Sequence, residues 1–154
     1  MLQEILQNPS YEKILFVGIG NLLKKDDGVG VYIAQNLKET KRLKRLVVEV
    51  SIENYIGKIN ALSPDLLILV DAMDLQAGPG RWSLMPACNL RGHTTNTHNI
   101  SLGQVCELFN SPVYILGVQP RDISLGEGFS RDVKKGADAL IRQINHVAAK
   151  ATTS

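Results

Sequence analysis

Apolar and polar positions alternate along this chain in blocks that read as strand, helix, strand, helix. Residues 14–18 form an apolar run closed by Gly18, the pattern of a buried strand. Val29, Ile33 and Leu37 then recur at i, i+4 and i+8, which predicts a first helix ending in the charged stretch after Leu37. A β-branched second strand is expected at Leu46–Val50. A helix over about 55–62, marked by Ile56, Ile59 and Leu62, must stop at Pro64, because the residue before a proline is pushed out of the α region. Leu66–Val70 is an unbroken apolar run, as in a strand covered on both faces, and it ends at Asp71. Gly78-Pro79-Gly80 turns the chain into a short strand at Arg81–Met85, expected to be antiparallel.

Residues 86–100 hold Gly, Asn, Thr and His without periodicity and predict a long loop, a kind of segment that often carries function. Ser101 can cap a helix whose Leu102, Val105 and Leu108 face inward, and Val113–Val118 makes the last strand. After a glycine-bearing loop at 119–129, Val133, Ala137, Leu140, Ile141, Ile144 and Ala148 give a closing helix a wide apolar stripe. The pattern predicts an α/β fold of three layers: a mostly parallel, twisted sheet of about five strands with helices on both faces. With 154 residues the chain is expected to be one domain, 1–154, with residues 1–12 as an N-terminal extension.

Composition narrows the function classes. A net charge of +2 is mild, and the cluster Lys41, Arg42, Lys44 and Arg45 reads as a solvated turn between elements, so no nucleic-acid partner is expected. Cys88 and Cys106 lack metal or redox spacing and read as buried, reduced thiols. No apolar run reaches the ~18 residues of a membrane span, and no signal-peptide plan opens the chain; a cytoplasmic monomer is expected.

The candidate chemistry gathers where strands end. Gly18-x-Gly20-Asn21 follows the first strand, and the helix start beyond it carries Asp26-Asp27 before Gly28-x-Gly30. A glycine turn of this kind commonly cradles phosphate, but two carboxylates at that spot repel an anion, so the segment reads as a cation site. Leu23 also stands where a dinucleotide fold needs its third glycine. In open α/β sheets, ligands sit beyond the carboxyl ends of the strands, where Asp27, Asp71 and His98 are expected to converge. Two carboxylates and an imidazole suit a divalent metal such as nickel, iron(II) or zinc, with positions left open. For Asp26 and Asp27 a helix-capping role is the other reading. No Gly-x-Ser-x-Gly elbow is present, and Cys106, between core positions on a helix, is a poor nucleophile.

With these residues in view, the chain resembles the hydrogenase maturation endopeptidases, which trim the carboxyl-terminal extension from the large subunit of nickel–iron hydrogenases. The resemblance rests on Gly18-Ile19-Gly20-Asn21-Leu22-Leu23-Lys24-Lys25-Asp26-Asp27-Gly28-Val29-Gly30, Leu69-Val70-Asp71-Ala72-Met73-Asp74, Thr97-His98-Asn99-Ile100-Ser101-Leu102 and Gly117-Val118-Gln119-Pro120, covering roughly residues 13–150. Ser51-Ile52-Glu53-Asn54 and Thr97-His98-Asn99 look most like the subgroup serving hydrogenases of the formate-hydrogenlyase type. The resemblance implies metal-contacting and catalytic roles for Asp27, Asp71 and His98, and an activity often classed with aspartic-type endopeptidases. It also implies the hydrogenase large-subunit precursor as partner, and nickel carried by that substrate and sensed by the enzyme. Where relatives have an Asp-x-Gly motif after the second strand, this chain has Val48-Glu49-Val50-Ser51-Ile52-Glu53, so only Glu49 or Glu53 could substitute. The same three ligands would also serve a non-catalytic nickel chaperone or docking protein, which would bind metal tightly and cut nothing.

Overall fold

The computed structural model describes residues 1–90 and 102–153. Five strands, β1 (Ile14–Ile19), β2 (Leu43–Glu49), β3 (Leu66–Ala72), β4 (Trp82–Pro86) and β5 (Val113–Val118), form one sheet in the order β2-β1-β3-β5-β4. All neighbours are parallel except β4, which runs antiparallel to β5 as expected. The helices are α1 (Leu2–Gln7), α2 (Val29–Gln35), α3 (Ile56–Leu62), α4, helical over 102–105, and α5 (Arg131–Thr153).

The two central strands are buried at every position, as their unbroken apolar runs require. Because side chains alternate across a strand, each splits its residues between two cores. Phe16, Leu66, Ile68, Val70 and Leu116 pack with α1, α2 and α5 on one face. Leu15, Val17, Leu67, Leu69 and Ile115 pack on the other with Ile59 of α3 and with Leu102, Cys106 and Phe109. Asp71 has the parity of Leu67 and Leu69, so it belongs to the face covered by the segment that starts at 102.

Several elements differ from the sequence expectation. The N-terminal extension contains a helix, α1, whose Leu2 and Leu6 are buried against α5. The second strand starts at Leu43, three residues early, so Lys44 and Arg45 lie in an edge strand, where charge protects the unpaired rim. Arg42 is not a solvated turn residue. Its guanidinium donates to the carbonyls of Leu6 (2.6 Å) and Asn8 (2.5 Å), which α1 leaves open at its end, and to that of Tyr11 (2.6 Å) in the segment that follows. The first helix ends at Gln35, yet Leu37 stays in the core. After α4 the chain tightens into a 3₁₀ turn, Cys106–Leu108, which shifts the inward face: Leu108 is exposed, and Cys106 and Phe109 are buried instead. Cys88 is exposed rather than buried, whereas Cys106 is buried as expected. The expected long loop falls mostly outside the described residues, as does the Ser101 cap. Among the described residues no helix is long and apolar enough to cross a membrane.

Arg42 therefore joins α1 to the sheet edge through three charge-assisted bonds. Arg42→Ala is expected to lower unfolding free energy by about 2–4 kcal/mol, read by urea denaturation. A change below about 0.5 kcal/mol would show that α1 docks through Leu2 and Leu6 alone.

Candidate active site at the carboxyl ends of β1 and β3

The glycines of the first motif act by letting backbone approach backbone. A Cβ on Gly30 would lie 2.1 Å from the carbonyl oxygen of Val70 and 2.6 Å from that of Ile19, so the first turn of α2 sits directly on the ends of β3 and β1. A Cβ on Gly18 would lie 2.7 Å from Ala34 Cβ, which seats the same helix along β1. Gly20, at φ +142°, brings the turn against the carbonyl of Asp27, which a Cβ would meet at 2.1 Å. Its N–H donates to Glu49 O (2.8 Å), tying the turn to the end of β2. The order of the sheet reverses at β1, with β2 on one side and β3 on the other, so the crevice beside this turn is the topological switch point.

The acid doublet occupies a 3₁₀ turn, Lys25–Gly28, and its members have separate tasks. Neither caps α2, whose N-cap is Gly28 without a side-chain cap bond. Asp26 is fully buried, and its carboxylate accepts from the N–H groups of Arg121 (3.0 Å), Asp122 (3.0 Å) and Ser130 (2.7 Å) and from the Ser130 hydroxyl (2.6 Å). It is the clamp that holds the loop between β5 and α5 over the site, a role its sequence neighbourhood does not reveal because every partner lies 95 or more residues away. Asp27, 3% exposed, accepts from the N–H of Asn21 (3.1 Å), so the glycine turn orients it. Asp71 is wholly buried near the end of β3, one residue beyond the Val70 carbonyl on which α2 rests. The fold thus brings two of the three expected site residues, Asp27 and Asp71, to one end of adjacent strands. His98 lies outside the described residues.

Other motif residues shape the surroundings. Gln119 Oε1 accepts from Leu75 N (2.5 Å) and Ala77 N (3.4 Å), fixing the chain as it leaves Asp71. Asp122 is held well below the usual carboxylate range, first by the Ser124 hydroxyl and N–H and then by Lys25 Nζ at 3.0 Å. Burial pushes the Cys106 thiol up to about 12, which removes it as a nucleophile, as expected. A cleft of about 290 Å³ opens beside the switch point, lined by Ile19, Val50, Ile52, Glu53, Leu102, Gln104 and Val105. It lies at the lower limit for small-molecule sites. Glu53 reaches this cleft, whereas Glu49, exposed at the end of β2, does not line it. Among the described residues no group of three His, Cys, Asp or Glu side chains is arranged to hold a metal.

No protein-family model matches the chain. It is similar to the hydrogenase 3 maturation protease of Escherichia coli K12, 24% identical over 132 residues, covering 82% of this chain and 85% of that protein. Its structure is similar to that of the NiFe hydrogenase maturation protease HycI from Thermococcus kodakarensis, with a TM-score of 0.81, 28% identity, and coverage of 97% of this chain and 99% of that one. It also shares the fold of the hydrogenase maturating endopeptidase HybD from Escherichia coli, with a TM-score of 0.75 at 19% identity over 90% of this chain and 93% of that one.

Loss of the Asp26 carboxylate leaves N–H donors of three residues without their acceptor. Asp26→Ala is expected to cost about 2–4 kcal/mol of stability in urea unfolding. Proteolysis within the loop at 119–130 should also accelerate; wild-type stability and cleavage would remove the clamp.

Proposed function

We infer that this chain, a member of the hydrogenase maturation endopeptidases and therefore a peptidase, removes the carboxyl-terminal extension of a hydrogenase large-subunit precursor and senses the nickel which that precursor carries. The observation that supports this reading most is the placement of two buried carboxylates, Asp27 just after β1 and Asp71 near the end of β3, at the same end of adjacent strands. A buried carboxylate is costly unless it is hydrogen-bonded, paired or used, and the switch point is where such folds use one.

Asp27 and Asp71 would offer oxygen donors and His98 a nitrogen donor to the nickel of the precursor, whose own thiolates complete the coordination. Hard oxygens and an imidazole on the enzyme, with soft sulfur on the substrate, favour an ion that is already seated in the precursor over free metal. Docking of the metal then brings the adjacent peptide to the carboxylates. Peptide hydrolysis needs water activated by a base or a carbonyl polarised by a cation, and carboxylates beside a substrate-held metal supply both in one place. The loop clamped by Asp26 and the Gln119 anchor hold these groups in position without taking part in the chemistry.

Asp27→Asn, Asp71→Asn and His98→Ala are each expected to reduce precursor processing by about 100-fold or more while keeping a folded circular dichroism spectrum. Normal processing by all three variants would refute the assignment. A nickel-loaded precursor bound by the wild-type protein but left intact would make the chain a docking protein instead.

A further inference from the structure

A metal contact made by three side chains is a small footprint for recognising a folded protein, so the surface around the site must contribute. Among the described residues, seven large apolar side chains are exposed, and three of them, Leu22, Leu23 and Leu125, belong to the two loops that border Asp27. Leu23 is 61% exposed and Leu125 82%. Single exposed leucines are ordinary on protein surfaces; adjacent ones on a rigid support are not.

The support is rigid and specific. Lys24 and Gly126 pair as an isolated parallel bridge, with Gly126 N donating to Leu23 O (2.9 Å) and Lys25 N to Gly126 O (3.1 Å). This parallel pairing places Leu23 and Leu125 each one residue before the bridged positions on two adjoining loop segments. Asn21 holds the same loop from within, its Oδ1 accepting from Leu23 N (2.9 Å). Gly126 has φ +144°, a backbone conformation that residues with a Cβ rarely adopt, so the crossing depends on glycine. The ion pair of Lys25 with Asp122 (3.0 Å) and the Asp26 clamp fasten the second loop beneath. None of these bonds serves to bury the leucines; together they hold them outward.

We propose that Leu23 and Leu125 form a preorganised apolar knob that docks on an apolar patch of the folded hydrogenase large-subunit precursor, next to its scissile tail. This rests on the function inferred above, which makes that precursor the macromolecule that must cover the Asp27 end of the sheet. Val50, 50% exposed at the cleft beyond β2, lies at the same end, so the apolar surface flanks the acids on two sides. A knob already held in its bound geometry loses little conformational freedom on contact, which turns its burial into affinity.

The test compares wild-type protein with Leu23→Ser/Leu125→Ser for equilibrium binding to nickel-loaded precursor and for processing across precursor concentrations. Binding is expected to weaken about 10- to 100-fold, the scale of two leucines returned to water, with KM raised by a similar factor and kcat within about twofold. Both substitutions are on exposed positions, so the unfolding midpoint should stay at the wild-type value. Unchanged binding and KM alongside normal wild-type processing would overturn the knob and leave the protease reading standing. A wild-type protein that neither binds nor cuts the precursor would overturn both. Loss of self-association in the double variant, with precursor affinity unchanged, would assign the knob to a contact between copies of this chain and overturn the proposal.

Discussion

The approach of Gly30 to the carbonyls of Val70 and Ile19 governs the geometry of this site. Those oxygens lie at or near the carboxyl ends of β1 and β3, two adjacent parallel strands that are buried at every position. Any side chain at position 30 would lift α2 away from them, and with it the turn that carries Asp27. The separation of Asp27 and Asp71 is therefore set by backbone contact, the stiffest means a protein has of positioning two side chains.

Around that contact, neighbouring acids divide the work. Asp26 is bound by four donors and closes a loop from the far end of the chain over the site. Asp27 accepts an N–H of the glycine turn and sits beside the switch point. Placing both in a single 3₁₀ turn couples the two roles: the clamp cannot shift without moving the site. Gln119 does the same from the other side, tying the strand end of β5 to the chain that leaves Asp71.

The hydrophobic pattern carried most of the architecture. Unbroken apolar runs identify β1 and β3, the i, i+4 stripe identifies α5, and glycine and proline mark their ends. It failed where the signal is short or the partners are distant. Three apolar residues in α1 are too few to distinguish a helix from a tail, and its partners, Arg42 and α5, come much later in the chain. Leu108 kept a helical period on paper, but the 3₁₀ turn that contains it rotates the face by a fraction of a turn. Lys44 and Arg45 look like loop residues because edge strands need charge. The place of Asp71 was legible from a carboxylate that closes an apolar run, and it lies buried near the end of β3. The clamp by Asp26 was not, since its donors are backbone N–H groups that leave no residue-type signature.

The function inferred for this chain requires that the two carboxylates read a metal on the substrate. The direct measurement is a mass spectrum of the hydrogenase large-subunit precursor after incubation with this protein, once nickel-loaded and once nickel-free. Loss of a carboxyl-terminal peptide from the nickel-loaded precursor alone is the predicted result. Equal cleavage of both forms would contradict metal sensing, and cleavage of neither would contradict the protease itself.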